Sequence, residues 1–247
     1  MKISLLGVQI DSVSYFTATH QVIEWAQQSV GRCVCCANVH MLMEAHDSCN
    51  FMNIINQSDL IVPDGMPLVW LMRAKGCGDQ KRVYGPTLMS CIVAAAARGK
   101  IPIGFYGGKP EVLEALVGRL QTQNLDLNVA YSLSPPFHAL SLAEDDQVIE
   151  QINQSGVNIL FVGLGCPLQE KWMAAHKGRI HAVMVGVGAA FDFYAGVKAQ
   201  APEWMQATGL EWLFRLTTEP GRLWKRYLIH NPRFIFLAIA ELCGLIR

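Results

Sequence analysis

Residues 158–188, NILFVGLGCPLQEKWMAAHKGRIHAVMVGVG, decide the fold. Residues 158–162 form a short apolar run that ends in a glycine turn. Residues 167–176 suit a helix, and residues 182–187 form a second apolar run. Short, continuously apolar strands separated by a helical segment are the pattern of a parallel sheet buried on both faces.

Outward from this unit the alternation repeats. Strands are predicted at 32–37, 60–62, 101–106 and 128–132. Helices are predicted at 39–56, 66–75, 86–98, 110–123 and 142–153, with Pro110 at a first helical position. The class is therefore α/β, with helices on both faces of a parallel sheet. Ligands of such sheets bind at the carboxyl ends of strands. The loops that qualify contain Asn38, Asp64-Gly65, Gly107-Gly108, residues 163–169 and residues 188–192.

Length and composition fit this class. The chain has 247 residues, enough for one large α/β domain or one domain with an appendage. It is 51% apolar and only 16% charged. Low charge implies extra apolar surface to cover, in a homo-oligomer interface or at a membrane. The net charge is zero, which gives no electrostatic reason to expect nucleic acid. Eight cysteines without a CxxC spacing are expected as buried, unpaired residues, Cys33, Cys35 and Cys36 as strand residues rather than a metal cluster. Unpaired thiols suit a reducing cytoplasm. No adequate apolar segment precedes Asp11 for a signal peptide, and no run reaches the roughly 18 residues of a spanning helix.

The character changes after Gly196. Residues 192–227, DFYAGVKAQAPEWMQATGLEWLFRLTTEPGRLWKRY, carry three tryptophans and Arg215, Arg222 and Arg226. Guanidinium groups at this spacing suit a diphosphate, whose oxygens they pair bidentately. The following FIFLAIAELCGLIR is apolar but too short to span, and with the nearby Trp and basic residues it reads as an interfacial helix lying in a membrane surface. Two units follow: a core of residues 1–196 and a C-terminal helical appendage of residues 197–247.

Asp64, in Pro63-Asp64-Gly65 at the end of a strand, is a turn residue on local grounds. Its position also suits a carboxylate that takes a proton from an attacking hydroxyl. The glycines of 162–172, VGLGCPLQEKW, let backbone N–H groups approach a phosphate. The loop fails as a dinucleotide fingerprint because Leu168 stands at the third glycine position; Phe191 spoils the 186–191 segment in the same way. An NAD-dependent oxidoreductase is disfavoured on that ground. Gln169 and Glu170 suit sugar hydroxyls or backbone capping, and Arg82 suits the same cleft as Asp64. No two histidines show a metal-ligand spacing, His40 and His46 lying on different helix faces. The DxD pattern of metal-dependent glycosyltransferases is absent.

Taken together, Asn38, the block from Val62 to Pro86, VGLGCPLQEKW, GVGAAFDFYAG and the 201–227 block resemble the WecG/TagA/CpsF family of bacterial glycosyltransferases. The resemblance implies a Rossmann-like core and a membrane-associating appendage on a protein that is cytoplasmic and peripheral on the inner face of the cell membrane. It implies inverting transfer of a hexose-type sugar, N-acetylmannosamine, its uronic acid or glucose, from a UDP-sugar to a polyprenyl-diphosphate-linked sugar. Such products feed teichoic acid, enterobacterial common antigen and exopolysaccharide synthesis. By motif match Asp64 is the general base. Asn38 and Gln169 lie at the sugars or around the base, Gly65 and Gly163 are further substrate-binding positions, and Gly188, Phe191 and Asp192 lie at the nucleoside. Arg82, Arg215, Arg222 and Arg226 face the diphosphates, so no cofactor and no metal is expected. This chain has Ala37 where relatives often have Thr, and Gln200 where they often have Arg. The competing reading is a non-catalytic nucleotide-binding assembly partner, with Asp64 a plain turn residue.

Overall fold

A computed structural model describes every residue except Phe137, Ala139 and Arg247. The chain opens with a hairpin, β1 (Lys2–Leu5) and β2 (Val8–Asp11). Its two-residue turn, Leu6-Gly7, has positive φ at both positions (49° and 87°), the geometry that matches the twist of a tight hairpin. Helix α1 (Tyr15–Gln27) follows, closed at its start by a reciprocal Ser14–Thr17 capping box. The strand–helix alternation announces none of these three elements.

The sheet has six parallel strands: β3 (Arg32–Ala37), β4 (Leu60–Pro63), β5 (Ile103–Gly107), β6 (Val129–Leu133), β7 (Ile159–Gly163) and β8 (Val183–Gly186), in the order β4-β3-β8-β7-β5-β6. All six coincide within two residues with the predicted strands. The pleat divides each strand between two cores. In β3, Cys33, Cys35 and Ala37 enter one apolar cluster and Val34 and Cys36 the other. In β7, Leu160 and Val162 separate in the same way from Ile159 and Phe161. This is why the strands are apolar throughout rather than alternating. All eight cysteines are free.

One face is covered by α2 (Val39–Asp47), α3 (Cys49–Asn56), α4 (Met66–Ala74), α7 (Leu142–Gln154), α8 (Leu168–His176) and the hairpin. The other carries α1, α5 (Gly85–Gly99), α6 (Pro110–Gln123) and the short α9 (Ala190–Tyr194). The predicted helix over 39–56 is two helices. Ser48 leaves the helical region (φ −141°, ψ 105°), and its hydroxyl accepts from the Phe51 N–H to start α3. A serine offers the backbone this alternative because its side chain caps a new first turn.

Helices α10 (Glu203–Ala207), α11 (Glu211–Thr218) and α12 (Pro220–Leu242) complete the chain. The arginines at 222 and 226 and residues 234–242 of the apolar tail thus share one 23-residue helix. Phe234 and Ala238 of α12 enter the core beside α2, and Glu241 accepts from the Leu6 N–H and pairs with Lys75. Among the described residues, no helix is long and apolar enough to cross a membrane.

Candidate active site

Asp64 leaves the carboxyl end of β4 with its N–H bonded to the Ala37 carbonyl at 2.8 Å. Its carboxylate accepts from the Gly85 N–H at 3.2 Å and lies 3.5 Å from Arg82 Nη2. Arg82 Nε also donates to the Asp64 carbonyl oxygen. The guanidinium stacks on the Tyr84 ring at 4.1 Å and forms a 2.6 Å ion pair with Glu211 of α11. The Tyr84 hydroxyl donates to the other oxygen of Glu211 at 3.2 Å. Burial pushes the Asp64 carboxyl up to about 6; Arg82 opposes this rise, Glu211 adds to it, and the Gly85 N–H opposes it. A carboxylate tuned in this way is a base near neutral pH.

Asp64 lies between two cavities. The larger, about 780 Å3, runs between α4 and α12 past Trp70, Leu71, Ile235 and Ile239. The smaller, about 110 Å3, reaches the carboxyl ends of β3 and β8 and the start of α8, at Cys36, Gln169 and Gly188. Asn38, Asp64, Glu211, Arg215 and Arg226 line both.

The arginines differ in what they hold. Arg222 is paired with Glu219 at 2.6 Å. Arg215 and Arg226 form no ion pair among the described residues, and the Nε of each is buried without a hydrogen-bond partner. Burial and the neighbouring Arg215 and Arg222 lower the pKa of Arg226. Two partly buried cations, each with an unsatisfied Nε beside a cleft, suit a bound anion. Glu219 binds Lys198 as well, which also pairs with Asp192.

The profile of the glycosyl transferase WecG/TagA/CpsF family matches residues 3–246. The chain belongs to this family. Two relatives are each called N-acetylglucosaminyldiphosphoundecaprenol N-acetyl-beta-D-mannosaminyltransferase. The one from Bacillus subtilis (strain 168) is 27% identical over 218 residues, 88% of this chain and 82% of the relative. The one from Bacillus spizizenii (strain ATCC 23059 / NRRL B-14472 / W23) is 27% identical over 227 residues, 92% and 86% of the two chains.

On this WecG/TagA/CpsF chain the structure gathers most of the predicted positions. Asn38, Gly65, Asp64 and Arg82 border the larger cavity, and Gln169, Gly188 and Arg222 the smaller. Asn38 caps α2, accepting from the Met41 N–H at 3.3 Å. Gln169 is buried; its Oε1 accepts from the Gly165 N–H and its Nε2 donates to Glu170. That Gly165 N–H is therefore already satisfied within the loop.

Gly163, Phe191 and Asp192 line neither cavity. Phe191 is a core residue, 2% exposed and packed edge-on against Phe105. Its ring explains Gly163, where a Cβ would stand 2.5 Å from the ring carbon. Asp192 is tied to Lys198 at 2.7 Å.

Two polar residues in the cleft, Glu211 and Tyr84, escaped the sequence reading. Glu211 stands inside the GLEW segment, yet nothing local separates it from a helix N-terminal acid. Tyr84 sits in KRVYGP beside Arg82. Glu170, named from the sequence beside Gln169, is 1% exposed and keeps one carboxylate oxygen without a partner among the described residues; burial raises its pKa.

Proposed function

We propose that this protein transfers a hexose-type sugar from a UDP-sugar to a polyprenyl-diphosphate-linked sugar, with inversion at the anomeric carbon. The observation that carries the reading is Asp64, a carboxylate poised near pH 6 at the junction of two cavities, with two unpaired arginines on the shared wall. The curated relatives act, by name, on an N-acetylglucosaminyl-diphosphoundecaprenol acceptor and transfer an N-acetylmannosaminyl group. N-acetylmannosamine is accordingly the first donor sugar to try here, before its uronic acid or glucose.

In the proposed reaction the acceptor hydroxyl attacks the anomeric carbon as the bond to the UDP oxygen breaks. Asp64 takes the hydroxyl proton, and UDP leaves carrying the extra negative charge. The transition state has oxocarbenium character, as in glycoside hydrolysis. Arg215 and Arg226, assisted by Arg222, neutralise the charge that grows on the diphosphate, the role a divalent ion fills elsewhere. Asn38 and Gln169 face the sugars. The larger cavity, apolar along α4 and α12, suits the first isoprenoid units of the acceptor.

The C-terminal segment supports a peripheral membrane position. Trp224, Leu228, Ile235, Ile239 and Leu242 form a stripe along α12, each about half exposed or more. A helix with such a face and cations at one end lies in a membrane interface.

The test is a panel of UDP-sugars offered with a polyprenyl-diphosphate N-acetylglucosamine acceptor, with and without EDTA. The reading expects transfer from one donor, unaffected by EDTA well below the unfolding temperature. A strict need for added Mg2+ or Mn2+ that Zn2+ does not meet would remove the role given to the arginines. UDP binding without transfer from any donor would favour a nucleotide-binding partner protein.

A further inference from the structure

Helix α2 starts at Asn38 and carries His40 and Glu44 one turn apart, on the same helix face. Helix α12 packs across that face one turn before its buried anchor, Phe234, and brings His230 to it. The two imidazole rings meet edge to face with centroids 5.2 Å apart. His40 Nδ1 lies 3.7 Å from Glu44 Oε1, and His230 Nε2 lies 4.0 Å from the same oxygen. One donor atom from each of the three residues falls within 4.8 Å of the others. Sequence reading could not pair the histidines, because 190 residues separate them.

From this geometry we propose that His40, Glu44 and His230 bind a divalent transition-metal ion, zinc by preference, and that the ion fastens α12 to α2. Tetrahedral zinc with bonds of about 2.0–2.1 Å places its ligand atoms roughly 3.3 Å apart. The separations of 3.7 and 4.0 Å, with the remaining pair within 4.8 Å, must shorten by about 0.4 to 1.5 Å to meet that spacing, which side-chain rotation around an ion supplies. Two imidazole nitrogens and one carboxylate oxygen are a zinc donor set, whereas magnesium and calcium take oxygen.

A second observation points the same way. The Nδ1 of His40, the nitrogen that faces Glu44, is buried and has no hydrogen-bond partner among the described residues. At 3.7 Å the His40 Nδ1 is too far from Glu44 for a hydrogen bond, and a bare lone pair there would face a carboxylate. A cation between them satisfies both groups. Arg226 repels an ion at this position; Glu44 and Asp47 attract it, although Asp47 also pairs with Arg233 at 2.6 Å.

Both histidines line the larger cavity, which leaves a fourth coordination position for water. The ion is structural. It holds the helix that carries Arg226 against the helix that begins at Asn38, and it takes no part in the transfer chemistry.

The experiment uses the full-length protein, stripped with a chelator and dialysed, then titrated with Zn2+ against a chromophoric competitor while unfolding is followed by heat. One Zn2+ per chain and a rise in Tm are expected, since an ion that binds only the folded state stabilises it. His230→Ala and Glu44→Gln should each weaken binding by about 100-fold or more. Because the chain has eight cysteines, Co2+ substitution of the unmutated protein separates the sites. Visible d–d bands without a thiolate charge-transfer band support the histidine site. A thiolate band, no saturable binding, or unchanged affinity in a folded His40→Ala/His230→Ala double variant would overturn the proposal.

Discussion

Arg82 bridges two carboxylates, its Nη2 lying 2.6 Å from Glu211 and 3.5 Å from Asp64. The two acids come from opposite ends of the chain. Glu211 belongs to the C-terminal segment and Asp64 to the end of β4, so the state of the proposed base depends on how that segment sits. Glu211 raises the Asp64 pKa through its charge, which Glu211→Gln removes while keeping the side-chain shape. The acidic limb of the kcat/KM profile should move to lower pH in this variant. A limb that stays in place, in a folded variant, would deny the coupling.

The unmutated protein should lose activity as pH falls through about 6, because Asp64 acts as a base only when ionised. The sign for stability is opposite to that of an ordinary ion-paired acid. The folded carboxyl holds its proton up to about 6, against an ordinary value of 3.8, so its contribution to stability is largest at low pH and is lost as pH rises between those values. Asp64→Asn should therefore raise thermal stability at pH 7.5 by about 1–3 kcal/mol, less whatever Arg82 loses. Calorimetry at pH 7.5 checks this, and a clear drop in Tm would contradict it.

Arg215→Met and Arg226→Met should each lower kcat/KM by about 100- to 1000-fold, the usual cost of removing one group that stabilises developing charge. Neither should lower Tm by much, because neither arginine has an ion-pair partner among the described residues and Arg215 gives up only its contact with the Phe193 ring, 5.9 Å away. UDP binding should weaken in both. Normal turnover in either variant would exclude that arginine from the diphosphate site.

Phe236 is 73% exposed on α12, so Phe236→Glu should leave the fold intact. Sedimentation with anionic phospholipid vesicles should show weaker binding of this variant and of Ile239→Glu than of the parent. Equal binding by all three would remove α12 from the membrane contact.

The sheet was legible because its strands are buried on both sides. RCVCCA and ILFVG admit no solvent face, and prolines mark the starts of α4, α5, α6 and α12. The hairpin was not legible, since each strand has four residues and its turn relies on Leu6 at positive φ. Around the cleft, residues that follow a strand directly, Asn38 and Asp64, could be placed from pattern alone. Phe191 could not, because an aromatic one turn from a glycine loop looks the same whether it points to a ligand or fills the space above Gly163. Glu211 and the His40–His230 meeting depend on the path of α11 and α12 over the core, which no local spacing records.

The central claim is that Asp64 is the base of a sugar transfer. The direct measurement compares the parent with Asp64→Asn in single-turnover transfer from the accepted UDP-sugar to a polyprenyl-diphosphate-linked sugar, with UDP affinity measured on both. The account predicts a loss of about 100- to 10,000-fold in the transfer rate with UDP binding largely retained. Transfer at the parent's rate by Asp64→Asn would contradict it.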